Sequence, residues 1–455
     1  MSLLLNIIEL DIIIRLVQLR SLAMTDDLKN KIGFLTFLSI VINAQIGASI
    51  FLLPAELARF RSFGLIGWII GGLGAVLIAM VFAFLCMDTP KTGGPHTYAR
   101  MFFGEKVGFF VTWIYWCGSW ACNPIIIATA VNYLCCVIGD LSTTGKLITE
   151  ISIVLSLTAV NVKGIKAGGY FGNILLLLKI LPLIIVPVLA FGNMHMEHFA
   201  EHTPAEMSVA ETILKSSLIA CWAFVGLEEG GAAAHSVINP KKTVPWGIVL
   251  GTTFVAIVSL LITISVFGVI PLAELEKTGA PFAAVLNSLL GGSYEKLIGV
   301  LTFIMCYGSL NAWVLFSGQI AQSASNEKVF PKLFGRTSDN GTPTTALWYA
   351  CFGTIAILII NEATPFGSTL SEFLDMSVII YLALYLVAIV SYIFWMIKNK
   401  KYVWWKILVT LGAFAFCILI MSSSNIKSLY ALGILLLVGL PIYFCVKRES
   451  TCNMV

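Results

Sequence analysis

IGFLTFLSIVINAQIGASIFLLPAELARF, residues 32–60, is apolar and long enough to cross a bilayer, yet Gly47-Ala48-Ser49 interrupts it near the middle and Pro54 follows. A second stretch, ILKSSLIACWAFVGLEEGGAAAHSV at 213–237, is broken by Gly226, the acidic pair Glu228-Glu229 and Gly230-Gly231. A charged side chain at the centre of a membrane helix costs roughly 2.5–3.5 kcal/mol even on lenient insertion scales. Non-helical backbone survives at that depth only where protein buries it or where it lines a wet cavity. Paired interruptions in two halves of a membrane chain point to a substrate site near the midplane. The sequence therefore predicts a secondary transporter.

Working outward, the whole chain supports a membrane protein. Of its 455 residues 58% are hydrophobic and 11% charged, and the mean hydropathy is +0.93, outside the soluble range. Twelve spans are predicted: 33–60, 63–87, 107–138, 147–163, 170–192, 209–237, 245–270, 293–323, 343–361, 370–397, 404–422 and 428–446. The fourth is the weakest, being short and starting beside Glu150. The connections 88–106, 193–208 and 324–342 are too short to hold a soluble domain.

The net charge of +4 is too small to suggest nucleic acid. Its placement is more informative. Lys and Arg crowd alternate connections (Lys91, Arg100, Lys106, Lys163, Lys166, Lys241, Lys242, Lys328, Lys332, Lys398, Lys400 and Lys401), whereas the others keep Arg59, Arg61, Lys146, Lys277 and Lys427. By the positive-inside rule both termini are expected in the cytoplasm. Residues 1–23 place Glu9, Asp11, Arg15 and Arg20 inside an apolar stretch. Two readings of that segment stand: an interfacial amphipathic helix, or a true start at Met24.

An interrupted helix exposes N–H groups at the start of one half and C=O groups at the end of the other. The donors suit a carboxylate and the acceptors an ammonium, so two facing breaks would clamp a free amino acid. Gly47, Ala48, Ser49, Val225 and Gly226 are the candidate backbone of that clamp. Trp222 and Trp313 fall near span centres, away from the interfacial belts that hold most tryptophans, and their rings suit a cationic or aliphatic side chain. Asn123 adds a hydrogen-bonding group in the third span. Close helix packing by small residues and polar helix glue are the competing explanations, but packing leaves the carboxylates unexplained.

Several stretches, GASIFLLPAELA, FGEKVGFFVTWIYWCGSWACN, LIACWAFVGLEEGGAAAHSVINPKKTVPWGIVLGT and YGSLNAWVLFSGQIAQSASNEKVFPKLFGRTSDNGTP, resemble the amino acid–polyamine–organocation superfamily. The resemblance covers about residues 30–400 and is strongest to bacterial arginine/agmatine and ornithine/putrescine antiporters. It implies an all-α membrane fold of about twelve helices, with a five-plus-five inverted repeat in 32–400 whose helices one and six are broken. A cytoplasmic segment at 1–31 precedes this core, and two peripheral helices with a cytoplasmic tail at 401–455 follow it. It further implies a bacterial inner-membrane protein, with Trp222 against the substrate side chain, Trp313 gating and Glu228 beside the site. Tyr115 would serve an outer gate, Asn123 would touch substrate, and Tyr443 would match an aromatic of the putrescine exchangers.

Two departures stand out. The family's first break usually reads GSG, whereas Gly47-Ala48-Ser49 stands here. Lys179, in LLLKILPLIIVP, resembles the lysine that replaces a sodium ion in proton-coupled relatives, and it is mid-span, where snorkelling fails. It keeps an amino acid/proton symporter open as the alternative to amino acid/amine exchange. The expected partners are an amino acid or amine, protons, lipid and a second copy in a homodimer. No cofactor and no metal are expected: His195, His198 and His202 read as solvated loop residues, and the eleven cysteines lack a CxxC pair. His96 and His235 stand alone, so no catalytic constellation argues for an enzyme. A channel fits broken helices with a tryptophan gate less well than a closed site.

Overall fold

The computed structural model describes residues 32–89, 94–163, 182–200, 207–232, 237–291, 294–338, 341–363 and 370–452. In chain order these form α1 (Phe34–Gln45), α2 (Ser49–Ala58), α3 (Phe63–Asp88), α4 (Pro95–Ala121), α5 (Asn123–Ile138), α6 (Thr143–Val162), α7 (Pro182–Phe191), α8 (Val209–Cys221), α9 (Glu229–Ala232), α10 (Pro240–Val269), α11 (Pro281–Leu290), α12 (Glu295–Asn326), α13 (Thr344–Ala363), α14 (Leu370–Asn399), α15 (Trp404–Ser422) and α16 (Ile426–Cys452). Among the described residues ten helices are long and apolar enough to cross a membrane, or eleven with α1 and α2 taken as one bent span. The expected fifth span is described only as α7, and Lys179 lies outside the described residues, as does the 1–31 segment.

Local chemistry sets the helix ends. Ser142 and Ser208 cap α6 and α8 by accepting from Gly145 N and Glu211 N, which satisfies donors the first turn leaves open. Pro95, Pro240 and Pro281 open α4, α10 and α11, where a missing N–H is harmless. The third span departs from expectation. Helix begins at Pro95 and passes a non-helical Gly104 before running on through Ala121, so most of the 88–106 connection is helix. The 271–292 connection likewise carries α11, whose buried Phe282 packs edge-on to Phe51 of α2.

The core is one large apolar cluster that threads nearly every span, with a smaller one where Phe37 and Val41 of α1 meet Ala79 and Cys86 of α3 and Val244 and Ile248 of α10. Helix α3 lies along both α8 and α10, α10 along α1, α5 along α12, and α4 along α14. Small residues permit this closeness: a Cβ on Gly67 would stand 2.5 Å from Ser216 Oγ, and one on Gly251 2.8 Å from Val41 Cγ1. Helices α15 and α16 sit at the edge, with 22% and 11% of their apolar windows buried against 67% for α3. Polar ties close the two ends of the bundle. Arg61 pairs with Glu276 at 2.9 Å at one end, and Asp88 with Lys406 at 2.7 Å at the other.

Candidate functional site

At the end of α1 the chain leaves helical geometry, and α2 restarts at Ser49 bent by 42° from α1. Gly47 N turns back to Gln45 O (2.8 Å), and Phe51 N reaches Ala48 O (3.1 Å). Among the described residues the N–H groups of Ala48, Ser49 and Ile50 have no backbone acceptor. Three donors therefore stand open at the N-terminus of α2, where the helix dipole favours an anion.

The second break follows α8. A single 3₁₀ turn, Trp222–Phe224, leads into extended Val225, then Gly226 at φ +102, before α9 resumes. A side chain at Gly226 would be strained by that φ and would also place its Cβ 3.0 Å from Ala44 O. The two breaks thus meet backbone to backbone. This second break satisfies itself: Gly226 N donates to Glu228 Oε2 at 3.2 Å, and Tyr385 Oη of α14 donates to the same oxygen at 2.6 Å.

Between the breaks lies a small cavity lined by Ala44, Gln45, Gly47, Ala48, Ser49, Cys122, Ile126, Trp222, Val225 and Trp313. Its volume is about 20 Å³, room for about one water. An amino acid fits only after the walls part, so this is a closed state of the cleft. Among the described residues no charged side chain lines it. Asn123, next to Cys122, is buried with Oδ1 unpartnered.

On the Glu228 side of the cavity stands an aromatic layer. Trp313 packs edge-on to Tyr381 (6.3 Å), Tyr381 to Tyr115 (6.4 Å), and Tyr115 stacks on His96 (6.0 Å). Tyr115 faces the Glu228 carboxylate without closing a hydrogen bond. Tyr115 shares a layer with Glu228, because α4 starts at Pro95 and brings His96 and Tyr115 up one side of the cleft. Glu228 is fully buried and Glu229 half-buried, as consecutive residues on a resumed helix must diverge.

Of the residues singled out from sequence, Gly47, Ala48, Ser49, Trp222, Val225 and Trp313 line the cavity; Gly226, Asn123, Glu228 and Tyr115 border it. Tyr443 stands apart, packed on Phe109 and Phe110 of α4 by the peripheral α16. Sequence reasoning passed over Gln45, Cys122, Ile126, Tyr381 and Tyr385. Three of these had a visible signal: Gln45 is an amide just ahead of the first break, two residues after Asn43, and Tyr381 and Tyr385 share a helix face in an apolar run.

A family model described as amino acid permease matches residues 32–436. The chain belongs to the amino acid permease family. A cadaverine/lysine antiporter of Escherichia coli (strain K12) is 33% identical to this permease over 334 residues, 72% of this chain and 74% of that protein. A putrescine transporter PotE of Haemophilus influenzae is 27% identical over 323 residues, 70% of this chain and 74% of that protein. An arginine/ornithine antiporter of Pseudomonas aeruginosa is 27% identical over 332 residues, 70% of this chain and 68% of that protein. This permease is an integral membrane secondary transporter, and its breaks offer complementary chemistry: open donors at α2, carbonyl ends at α1, and two indoles across the space between.

Proposed function

We propose that this permease exchanges a cationic amino acid for its decarboxylated amine by alternating access at the cavity between the two breaks. The observation that carries the reading is the pocket between Trp222 and Trp313, uncharged among the described residues, with three open N–H donors on one wall. The donors suit an α-carboxylate, and the indole faces suit a cationic side chain. An amine lacking the carboxylate keeps the second interaction and forgoes the first. The names of the three relatives, all carriers of basic amino acids or polyamines, support the same direction.

The excess of lysine and arginine on alternate connections supports cytoplasmic termini in a bacterial inner membrane. Lys179 keeps proton coupling as a second reading, with an ammonium replacing a coupling sodium ion. Counterflow in proteoliposomes separates the two. Labelled lysine should enter liposomes loaded with lysine or cadaverine and should stay out of empty ones, with or without a proton gradient. Uptake into empty liposomes driven by that gradient would replace exchange by symport.

A further inference from the structure

Gln45 closes α1 and forms part of the cavity wall, yet its side chain is 2% exposed. Its Nε2 donates to Val41 O and to Thr252 Oγ1 of α10, both at 3.3 Å. A carbonyl oxygen only accepts, so the bond to Val41 O fixes which end of the amide is nitrogen. Among the described residues Oε1 has no partner. A buried acceptor without a donor is costly and uncommon, and it calls for a ligand or a structural reason.

The surroundings decide what donor belongs there. Gln45 sits at the C-terminal end of α1, where unpaired carbonyls make the local potential negative, and its own carbonyl already receives Gly47 N. The open donors of Ala48, Ser49 and Ile50 begin three residues further on. An α-ammonium and an α-carboxylate are bonded to one carbon, and this short stretch of chain offers an acceptor and donors in the same proximity. Resting on the exchange reading above, the geometry points to Gln45 Oε1 as the acceptor for the substrate's α-ammonium. The group is common to the amino acid and to its amine, so Gln45 anchors both exchange partners while the α2 donors address only one. Thr252 positions the amide by fixing its nitrogen.

The test is binding of lysine, cadaverine and 6-aminohexanoate to purified protein, each measured on wild type, Gln45→Met and Gln45→Glu. The last probe is lysine without its α-ammonium. Gln45→Met keeps the volume and removes the acceptor, and it should weaken lysine and cadaverine by about tenfold or more while leaving 6-aminohexanoate unchanged. Gln45→Glu restores an acceptor but sets an oxygen against Val41 O where Nε2 donated, so it should recover both only in part. Equal losses for all three ligands in Gln45→Met would make Gln45 a packing residue and overturn the inference, as would unchanged lysine affinity. A Gln45→Glu variant that fails to recover lysine in a folded protein would also overturn it. Wild-type protein that binds neither lysine, ornithine, arginine nor any of their amines would overturn the exchange reading itself, and this inference with it.

Discussion

Between Gln45 and Ser49 the chain changes direction without a charged side chain, whereas between Phe224 and Glu229 it turns around a carboxylate. The first break leaves Ala48, Ser49 and Ile50 N–H open beside the cavity. In the second, Gly226 N is taken by Glu228, and Tyr385 ties that carboxylate to α14. Both breaks expose helix ends to one space, but only one offers its donors to a ligand. The other spends its donor on an internal anion that couples two helices. The breaks are therefore not interchangeable halves of one clamp: the first is built for recognition, and the second for linking the site to the aromatic layer beneath.

The sharpest way to break this comparison is a methyl group in each break. Gly226→Ala meets a φ of +102 and an Ala44 oxygen 3.0 Å from the new Cβ. Backbone strain of this kind costs about 1–3 kcal/mol, and relieving the clash separates the two breaks. Substrate binding should fall on the order of 100-fold or more, with a lowered melting temperature. Gly47→Ala has no atom within 4 Å of its Cβ and no positive φ. It should leave the melting temperature unchanged and reduce affinity only through the volume the methyl takes from the cavity. Equal thermal effects at the two glycines would erase the distinction drawn here.

Trp222→Leu tests what the two breaks enclose. A desolvated cation–π contact is worth about 2 kcal/mol, so lysine affinity should drop roughly 30-fold while the protein purifies normally. Isothermal titration of neutral and cationic amino acids sharpens this. The loss should be greatest for cationic side chains, and near-native lysine affinity would remove Trp222 from the site.

Much of this was legible in the sequence, for reasons that can be located. The membrane fold follows from the length of the apolar runs, and the two breaks from residues that a bilayer penalises, which is how Gly47, Ser49, Trp222 and Trp313, found here around one cavity, could be singled out. What was not legible depends on which way a helix faces. Gly104 holds a non-helical turn within α4, and the face that turn gives Tyr115 is set by packing against α12 and α14 rather than by periodicity. Tyr385 reads as one more aromatic in an apolar helix until Glu228 is seen against it. Tyr443 matched a motif position, but α16 is peripheral and presents it to Phe109 and Phe110.

Smaller effects are expected below the cavity. Glu228 Oε2 accepts from both Gly226 N and Tyr385 Oη, so Glu228→Gln can keep both bonds on its one oxygen but loses the carboxylate that strengthens them. A hydrogen bond to a charged group contributes about 1.5–3 kcal/mol, and transport should fall by roughly tenfold. Glu229→Gln alters a half-buried group that the second break does not use for closure, and transport should stay within about twofold by the same scale of effects. Tyr385→Phe should mimic Glu228→Gln in direction. The reverse order of the two glutamates would assign the coupling to the wrong face of α9.

The smallest effect bears on the periphery. Tyr443 is half-buried on α16, and its ring touches two phenylalanines that belong to α4 rather than to the cavity. Tyr443→Phe removes a hydroxyl and keeps the ring stack, so affinity for lysine and for cadaverine should both remain within about twofold of wild type. A selective loss of cadaverine binding would bring α16 into the substrate path. It would also mean that the open cleft reaches α16, because in this state the Tyr443 ring lies against Phe109 and Phe110 and does not line the cavity. The comparison of the breaks would then describe only the closed state, and recognition in the open state would rest on a third wall.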